Sequence, residues 1–332
     1  MNIFLTFDYE LFFGSRHGTV ERCIVQPTEE LAHIADKHNI PLVFFVDCGY
    51  LIKLEEYRKK FASIEKDYKL VFSQLEKMVL AGHELQLHIH PHWEDCSYDG
   101  ERWIIKTARY KLSDFSEKEA AEIILRYANI LQHISSKPLV AYRAGGWCVQ
   151  PFSHIKDAMQ RIGIKFDSSV FANGFHNSLH YDYDFRNAPT VSSWNFEIDP
   201  VSEDPTGTFR EIAISSHTLS PLFFWRLYLL GRLFPSLHKP MSDGSPIMEK
   251  GFRKKILTSF TTHCVSADGY NASLLNRALK KHRSANKGNE FVVIGHPKAF
   301  TRYSLRKLDE FISDNHTKHD FITFTSYHPV LL

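Results

Sequence analysis

Short apolar strands alternate with helical stretches along almost the whole chain, and this order limits the fold more than any other sequence feature. Eight segments rich in β-branched and aromatic residues predict strands: 3–8, 42–46, 84–90, 139–143, 164–168, 211–215, 291–296 and 321–325. Between them, periodic stretches predict six helices: 28–38, 68–81, 116–134, 152–162, 272–285 and 303–315. Repeated strand–helix alternation is typical of a parallel sheet, closed or open. We therefore expect an α/β fold.

Neither a low-complexity linker nor an internal repeat divides the sequence, and one α/β barrel can use 332 residues. We therefore expect a single domain, residues 1–332, in which two regions depart from the alternation. Residues 172–210 are rich in Asn, Asp, Pro and aromatic residues and predict a long loop excursion.

The second region, residues 219–237, is the most apolar window of the chain and predicts a helical insertion. Arg226 and Arg232 lie inside it and Pro221 and Pro235 bound it, which argues against a transmembrane span. We expect a buried or lid-forming helix. A dimer contact and attachment to a membrane surface are the alternatives.

Charge and cysteine content narrow the class of protein. The chain has 40 Lys and Arg against 38 Asp and Glu, a net charge of +2, so we expect no nucleic-acid partner. Its five cysteines form no C-x-x-C pair, which argues against a disulfide framework and a cysteine zinc site. The first ten residues, MNIFLTFDYE, predict a strand rather than a signal peptide. We therefore expect a cytoplasmic protein, with membrane-peripheral attachment as an option.

Ionisable residues stand at the carboxyl ends of several predicted strands, where α/β folds place their chemistry. They are Asp8 and Glu10, His88 and His90, Arg143, Asp167, and His296. Asp8 and Glu10 share one strand face because side chains alternate with period two. One such strand end would be unremarkable, but five of them predict an active site.

The histidine-rich segment 82–93 predicts a metal site. His88 and His92 are separated by a turn at Pro91 that would bring both imidazoles to one ion, with a carboxylate from the first strand. This ligand set suits Zn²⁺ and also allows Co²⁺, Ni²⁺ or Fe²⁺. His83 faces the apolar side of its strand, and we expect it to be structural.

At these residues the chain resembles the polysaccharide deacetylase family, which is carbohydrate esterase family 4 with a NodB-homology domain. Thr6-Phe7-Asp8-Tyr9-Glu10 is similar to the family's T-F-D-D motif, and His88 with His92 is similar to its H-x-x-x-H motif. The resemblance implies a distorted TIM-like (β/α)7 barrel with loop insertions. It also implies one divalent metal and removal of N-acetyl groups from amino sugars or glycan precursors.

The resemblance assigns roles to individual residues. Asp8 would be the general base, Glu10 would join His88 and His92 as metal ligands, and His296 would be the general acid. Strand geometry alone does not separate the roles of Asp8 and Glu10. Arg143, in Arg143-Ala-Gly-Gly-Trp147, is similar to the third family motif and would pair with Asp8.

Four further residues are expected to contact substrate. Backbone N–H groups at Gly146 and Trp147 would stabilise the oxyanion. Asp167 is similar to the acid of the family's fourth motif, although the tryptophan that adjoins this acid in the family is missing here. Asp47 is a substrate or supporting residue, or a helix cap.

Other functions remain open at this point. An amidohydrolase-type metallohydrolase acting on another amide is suggested by His88-x-His90, and the altered motifs also allow an inactive glycan-binding barrel. For the deacetylase, a cytoplasmic location favours a nucleotide sugar, a lipid-linked intermediate, or a precursor of capsule or lipopolysaccharide.

Overall fold

The structure, a computed structural model, describes residues 1–135, 137–178, 181–247 and 251–327. Its strands in chain order are β1 (Asn2–Tyr9), β2 (Val43–Asp47), β3 (Glu84–Ile89), β4 (Ser97–Tyr98), β5 (Trp103–Ile104), β6 (Ala141–Ala144), β7 (Phe166–Asp167), β8 (Phe175–Asn177), β9 (Asp182–Asp184), β10 (Ser193–Phe196), β11 (Phe209–Ile212), β12 (Ser216–Leu219), β13 (Thr261–Cys264), β14 (Glu290–Gly295) and β15 (Asp320–Phe321).

Helices follow most of the strands, as the sequence predicts. They are α1 (Gln26–His38), α2 (Cys48–Tyr57), α3 (Ala62–Leu80), α4 (Glu117–Ile134), α5 (Lys156–Arg161), α6 (Pro221–Leu233), α7 (Pro235–His238), α8 (Phe252–Thr258), α9 (Leu275–Ser284), α10 (Arg302–Asn315) and α11 (Phe324–Tyr327). The Ser116–Glu119 capping box is present at the start of α4. Helices α2 and α8 were not predicted from the sequence.

The chain forms two compact units. The first unit comprises Met1–Ile40 and Ile214–Phe321. Its central strand β1 pairs in parallel with β14, from Asn2 opposite Glu290 to Phe7 opposite Gly295. The apolar residues of β1 and β14 are buried, which is typical of parallel strands covered on both faces.

The second unit comprises Pro41–Ala213 and Ile322–Leu332, within the described ranges given above. Its strands run in the order β2, β3, β6, β7, β11, β10. All neighbouring pairs in this order are parallel except β10 with β11.

Two expectations about secondary structure were wrong in part. Residues 172–210 are not one long loop, because β8 and β9 form an antiparallel hairpin and β10 pairs with β11. Packing of the rings of Phe171, Tyr183 and Phe185 supports the hairpin.

The last predicted strand, 321–325, ends at Phe321, and α11 begins at Phe324. The buried carboxylate of Glu84 accepts hydrogen bonds from the backbone N–H groups of Phe324, at 3.0 Å, and Thr325. An acceptor at these positions satisfies the N–H groups that a helix leaves open at its start. A residue distant in sequence therefore turns the chain from strand to helix.

The apolar window 219–237 is mainly helical, as predicted. It begins at the last residue of β12 and contains α6 and most of α7. It is not a buried helix, because Phe224 is the buried residue of α6 and several apolar residues of α6 are exposed. No helix in the described part of the chain has the length and apolar content needed to cross a bilayer. All five cysteines are buried thiols without a disulfide bond.

Candidate active site

Asp8 and His296 lie side by side because of the strand register in the first unit. Phe7 of β1 is opposite Gly295 of β14. The residues that follow them, Asp8 and His296, are therefore neighbours at the carboxyl ends of the two strands. The His296 Nε2 atom is 3.5 Å from Asp8 Oδ2 and 3.9 Å from Glu10 Oε1. The predicted grouping of Asp8, Glu10 and His296 is therefore present.

Asp268 completes this cluster. Its Oδ2 atom lies 2.7 Å from His296 Nδ1, and its Oδ1 atom accepts a hydrogen bond of 2.7 Å from the His296 backbone N–H. Asp268 was not among the site residues predicted from the sequence. Local sequence carries no signal for it, because backbone pairing of Ala267 with Ile294 brings this loop to β14.

The carboxylates hold His296 in its charged form. Burial lowers the pKa of His296, but the charges and hydrogen bonds of Asp268 and Asp8 outweigh burial and raise the pKa to about 10. At neutral pH the ring therefore carries protons on both nitrogens. The Nε2 proton is the one that faces Asp8.

Glu10 is held by a buried lysine that the sequence analysis also missed. Lys298 Nζ donates hydrogen bonds to Glu10 Oε1 at 2.8 Å and to the Leu11 carbonyl at 2.7 Å. The rings of Phe12 and Phe13 lie 5.0 and 5.1 Å from the ammonium group. The salt bridge fixes one oxygen of the Glu10 carboxylate.

In the second unit, the parallel register places Asp47, His88 and Arg143 in one row across β2, β3 and β6. The His88 Nδ1 atom is 2.8 Å from the Arg143 carbonyl oxygen. A carbonyl only accepts, so Nδ1 carries the hydrogen, and in the neutral ring Nε2 carries the lone pair. This is the arrangement found in metal-binding histidines whose second nitrogen is anchored by the protein.

Three histidines form an array at the end of β3, with His88 inside the strand and His90 and His92 beyond it. The ring centroids of His88 and His90 are 4.7 Å apart, and those of His90 and His92 are 5.4 Å apart. All three side chains are buried. The His92 ring stacks on Tyr110 at a centroid distance of 5.3 Å. The geometry makes His90 a candidate ligand beside the predicted pair His88 and His92.

The predicted structural histidine, His83, is buried. Its Nδ1 atom accepts a hydrogen bond of 3.2 Å from the Leu42 backbone N–H. This contact supports a structural role.

Asp47 is buried at the end of β2, where its Oδ2 atom accepts a hydrogen bond of 2.6 Å from the indole N–H of Trp93. Asp47 also occupies the N-cap position of α2, but its side chain makes no capping hydrogen bond there. The carboxylate therefore anchors the histidine-rich turn.

Arg143 is fully buried and is fixed from two sides. Its Nε atom donates to the Ser168 carbonyl at 2.8 Å, and its guanidinium lies 4.1 Å from the centre of the Phe45 ring. The predicted pairing of Arg143 with Asp8 would join the two units and stays a prediction. The same holds for the predicted ligand set of Glu10, His88 and His92.

Asp167 forms a buried carboxyl pair with Glu211. Asp167 was predicted as a site residue from the sequence, and Glu211 was not. The two residues are opposite each other on β7 and β11. Asp167 accepts hydrogen bonds from the backbone and hydroxyl of Ser169, and Glu211 Oε1 accepts one from the Val170 N–H. Burial and the charge of Asp167 raise the pKa of Glu211 well above its ordinary value.

Gly146 and Trp147 both have left-handed backbone conformations, with φ of 59° and 60°. A Cβ atom on Gly146 would lie 2.8 Å from the Tyr110 ring, so only glycine fits there without movement. The Trp147 ring packs edge-on against Phe171 and Tyr183. The predicted oxyanion role of these two N–H groups stays a prediction.

Solved structures share this fold. A Mycobacterium smegmatis protein described as a polysaccharide deacetylase matches with a TM-score of 0.52 and 17% sequence identity, over 98% of this chain and 88% of that one. The chain therefore has the fold of a polysaccharide deacetylase. The expected fold class, an α/β barrel of the TIM-like type, is confirmed by this likeness.

The polysaccharide deacetylase fold also occurs in enzymes with other names. An allantoinase matches with a TM-score of 0.50 and 12% identity, over 98% of this chain and 88% of that one. A 4-α-glucanotransferase from Thermococcus litoralis matches with a TM-score of 0.52 and 12% identity, over 99% of this chain but 40% of that one. No family model matches the chain, and comparison with curated proteins gave no match.

Proposed function

We propose that this protein is a metal-dependent hydrolase that removes N-acetyl groups from an amino sugar or glycan precursor. The observation that carries the proposal is the charged His296, held by Asp268 and facing Asp8. A protonated imidazole beside a carboxylate supplies an acid and a base at one place, as amide hydrolysis requires. The polysaccharide deacetylase fold supports this choice of reaction.

The two groups have opposite tasks. Asp8 accepts the proton of the attacking water, and His296 donates a proton to the departing amine nitrogen. The amine leaves as a neutral group, because expulsion of an amide anion is prohibitive. General acid–base assistance of this kind contributes about 10²–10⁴-fold to the rate.

The chain's donor set fits a divalent ion, with zinc as the first choice and cobalt, nickel or iron as alternatives. Glu10 and His88 would hold it with His92, or with His90 in place of His92. When bound, such an ion lowers the pKa of water and polarises a carbonyl oxygen. His88 is prepared for this task because the Arg143 carbonyl fixes its tautomer.

The remaining predicted residues would serve the substrate. Arg143 orients the base Asp8, and the N–H groups of Gly146 and Trp147 stabilise the oxyanion. Asp167 and Asp47 shape the substrate-binding wall. A nucleotide sugar, a lipid-linked intermediate or a capsule or lipopolysaccharide precursor, met in the cytoplasm, is the proposed substrate class.

The test measures both the metal content of the protein and its release of acetate. The purified chain should hold about one equivalent of zinc and release acetate from a panel of N-acetylated sugar nucleotides and oligosaccharides. Asp8→Asn and His296→Ala should lose activity but keep the metal, whereas Glu10→Gln and His88→Ala should lose both. Comparison of His90→Ala with His92→Ala identifies the third ligand. Full activity of Asp8→Asn and His296→Ala would contradict the role assignment.

Hydrolysis of a different amide is the second candidate, because the allantoinase match has the same fold at comparable coverage. Allantoin and other cyclic amides therefore belong in the substrate panel. Turnover of a cyclic amide without acetate release would favour this candidate. Sugar binding without any turnover, at every metal loading, would instead identify an inactive glycan-binding barrel.

A further inference from the structure

Exposed apolar side chains are concentrated in one part of the first unit. Within the described ranges, twelve large hydrophobic residues are exposed, and the last eight of them lie between residues 222 and 260. Seven of these belong to α6, α8 and their flanks: Leu222, Trp225, Leu229, Leu233, Phe234, Phe252 and Phe260. We call this set the apolar patch. Apolar surface of this kind marks an interaction site in soluble domains.

One side of helix α6 is an apolar stripe that is exposed to solvent. Leu222, Trp225, Leu229 and Leu233 are spaced by three or four residues and therefore lie on one side of the helix. Leu222 and Leu233 are 76% and 68% exposed. The opposite side holds Phe224, which is buried against His263.

Helix α8 is fixed beside α6. The indole N–H of Trp225 donates a hydrogen bond of 3.1 Å to the Leu257 carbonyl, and the Arg253 guanidinium lies 4.9 Å from the centre of the Tyr228 ring. These contacts leave Phe252 and Phe260 on the exposed side. The apolar patch therefore comes from two helices that contact each other and from the residues that flank them.

Basic residues outnumber acidic ones in the sequence around the patch, where the acidic residues Asp243 and Glu249 both fall within 243–250. Residues 219–242 and 251–267 contain six basic residues and no Asp or Glu: Arg226, Arg232, Lys239, Arg253, Lys254 and Lys255. All six are exposed. The whole chain has a net charge of only +2, so positive charge is concentrated here.

We propose that the apolar patch and its basic border bind the surface of an anionic phospholipid bilayer. Leucine, tryptophan and phenylalanine side chains enter the boundary between headgroups and acyl chains, while lysine and arginine contact the lipid phosphates. The helices lie on the membrane and do not cross it. This inference does not depend on the proposed deacetylase activity.

A second copy of the chain is a poorer occupant. In a two-fold dimer the same patch faces itself, so the six cations would meet cations, and neither 219–242 nor 251–267 holds an acidic residue to offset them. An anionic bilayer satisfies the charge and the apolar stripe together. Self-association is therefore an outcome of the test that would overturn the proposal.

Sedimentation of the full chain with vesicles tests the proposal. We expect binding to vesicles that contain phosphatidylglycerol, weaker binding to pure phosphatidylcholine, and loss of binding as salt rises. The double variant Leu229→Asp/Leu233→Asp should bind at least about tenfold less, because it places charge on the apolar stripe. Leu80→Asp, at a residue 87% exposed in the other unit, is the matched control and should bind like the wild type.

A charge variant and a depth measurement complete the test. Arg253→Gln/Lys254→Gln/Lys255→Gln should weaken binding and reduce its salt dependence. Brominated lipids should quench fluorescence of the wild type, and Trp225→Phe should lose most of that quenching. Circular dichroism melting curves check that each variant folds.

Three results would overturn the proposal. One is absence of wild-type binding to phosphatidylglycerol vesicles. Another is equal binding by Leu229→Asp/Leu233→Asp and the wild type. The third is a dimer, measured by light scattering, that this double variant dissociates while neither protein binds vesicles. Acetate release is not needed for any of these measurements, so failure here leaves the proposed function untouched.

Discussion

One carboxylate holds His296 at two points. Asp268 Oδ2 lies 2.7 Å from the ring Nδ1, and Asp268 Oδ1 accepts a 2.7 Å hydrogen bond from the His296 backbone N–H. The two contacts fix the rotamer of the imidazole and direct its Nε2–H away from Asp268. Asp268 is therefore a positioning residue that also sets the charge of the acid.

Asp268→Asn should lower the pKa of His296 from about 10, because it removes the negative charge that contributes most to raising it. If His296 is the acid, the high-pH limb of the rate profile should move to lower pH and kcat should fall, with KM little changed. The pH dependence of acetate release measures this. Asp309→Asn is the matched control, since Asp309 contacts His38 at 2.6 Å outside the proposed site.

The same contact predicts a pH-dependent stability. The folded-state pKa of His296 lies above its unfolded value, so the stabilisation is complete below about pH 6.5 and is lost as pH rises through about 10. Urea unfolding across this range should show a smaller loss in Asp268→Asn. An identical pH dependence in both proteins would contradict the assignment.

Lys298→Met should weaken zinc binding by about tenfold, because residues that anchor a metal ligand typically contribute 10–100-fold. Lys298 fixes one oxygen of Glu10, and its loss leaves that buried carboxylate without its salt bridge. Competition with a chelator measures the affinity. Lys37→Met, which breaks a surface pair with Asp309, should change nothing. Unaltered zinc affinity in Lys298→Met would show that Glu10 needs no such anchor.

Glu211→Gln should be as stable as the wild type below about pH 4.5 and more stable at neutral and higher pH. Burial, with the neighbouring Asp167, raises the pKa of Glu211 in the folded chain, so its stabilisation is full below about pH 4.5 and falls as pH rises toward the folded-state pKa. An amide mimics the protonated acid but cannot ionise. Glu211→Ala should cost about 1–3 kcal/mol, because Asp167 and the Val170 N–H lose their partner. Denaturant curves at several pH values separate the two variants.

Gly146→Ala should destabilise the protein more than Gly82→Ala. Both glycines have positive φ, 59° and 88°, which costs alanine about 1 kcal/mol. At Gly146 the new Cβ would also meet the Tyr110 ring at 2.8 Å, whereas nothing lies within 4 Å at Gly82. Thermal melts of both variants give the difference. Equal destabilisation would show that Tyr110 moves aside freely.

The sequence by itself predicted most of the strands and helices and most of the ionisable residues at the strand ends. Strand–helix alternation predicted the fold class, and period-two alternation placed Asp8 with Glu10 on one strand face. These inferences succeed because hydrophobic periodicity is local. The predicted strand at 321–325 was partly wrong because Glu84, distant in sequence, starts a helix there.

Tertiary structure alone decided which partners surround the strand-end residues. Asp268, Lys298 and Glu211 come to their partners through strand register and loop pairing between segments far apart in the chain. The outward orientation of the leucines of α6 was decided in the same way, since an apolar helix can bury or expose its stripe. Local sequence specifies which faces are apolar and which residues can ionise. Contacts formed on folding specify which of them meet, because those contacts join residues that carry no mutual sequence signal.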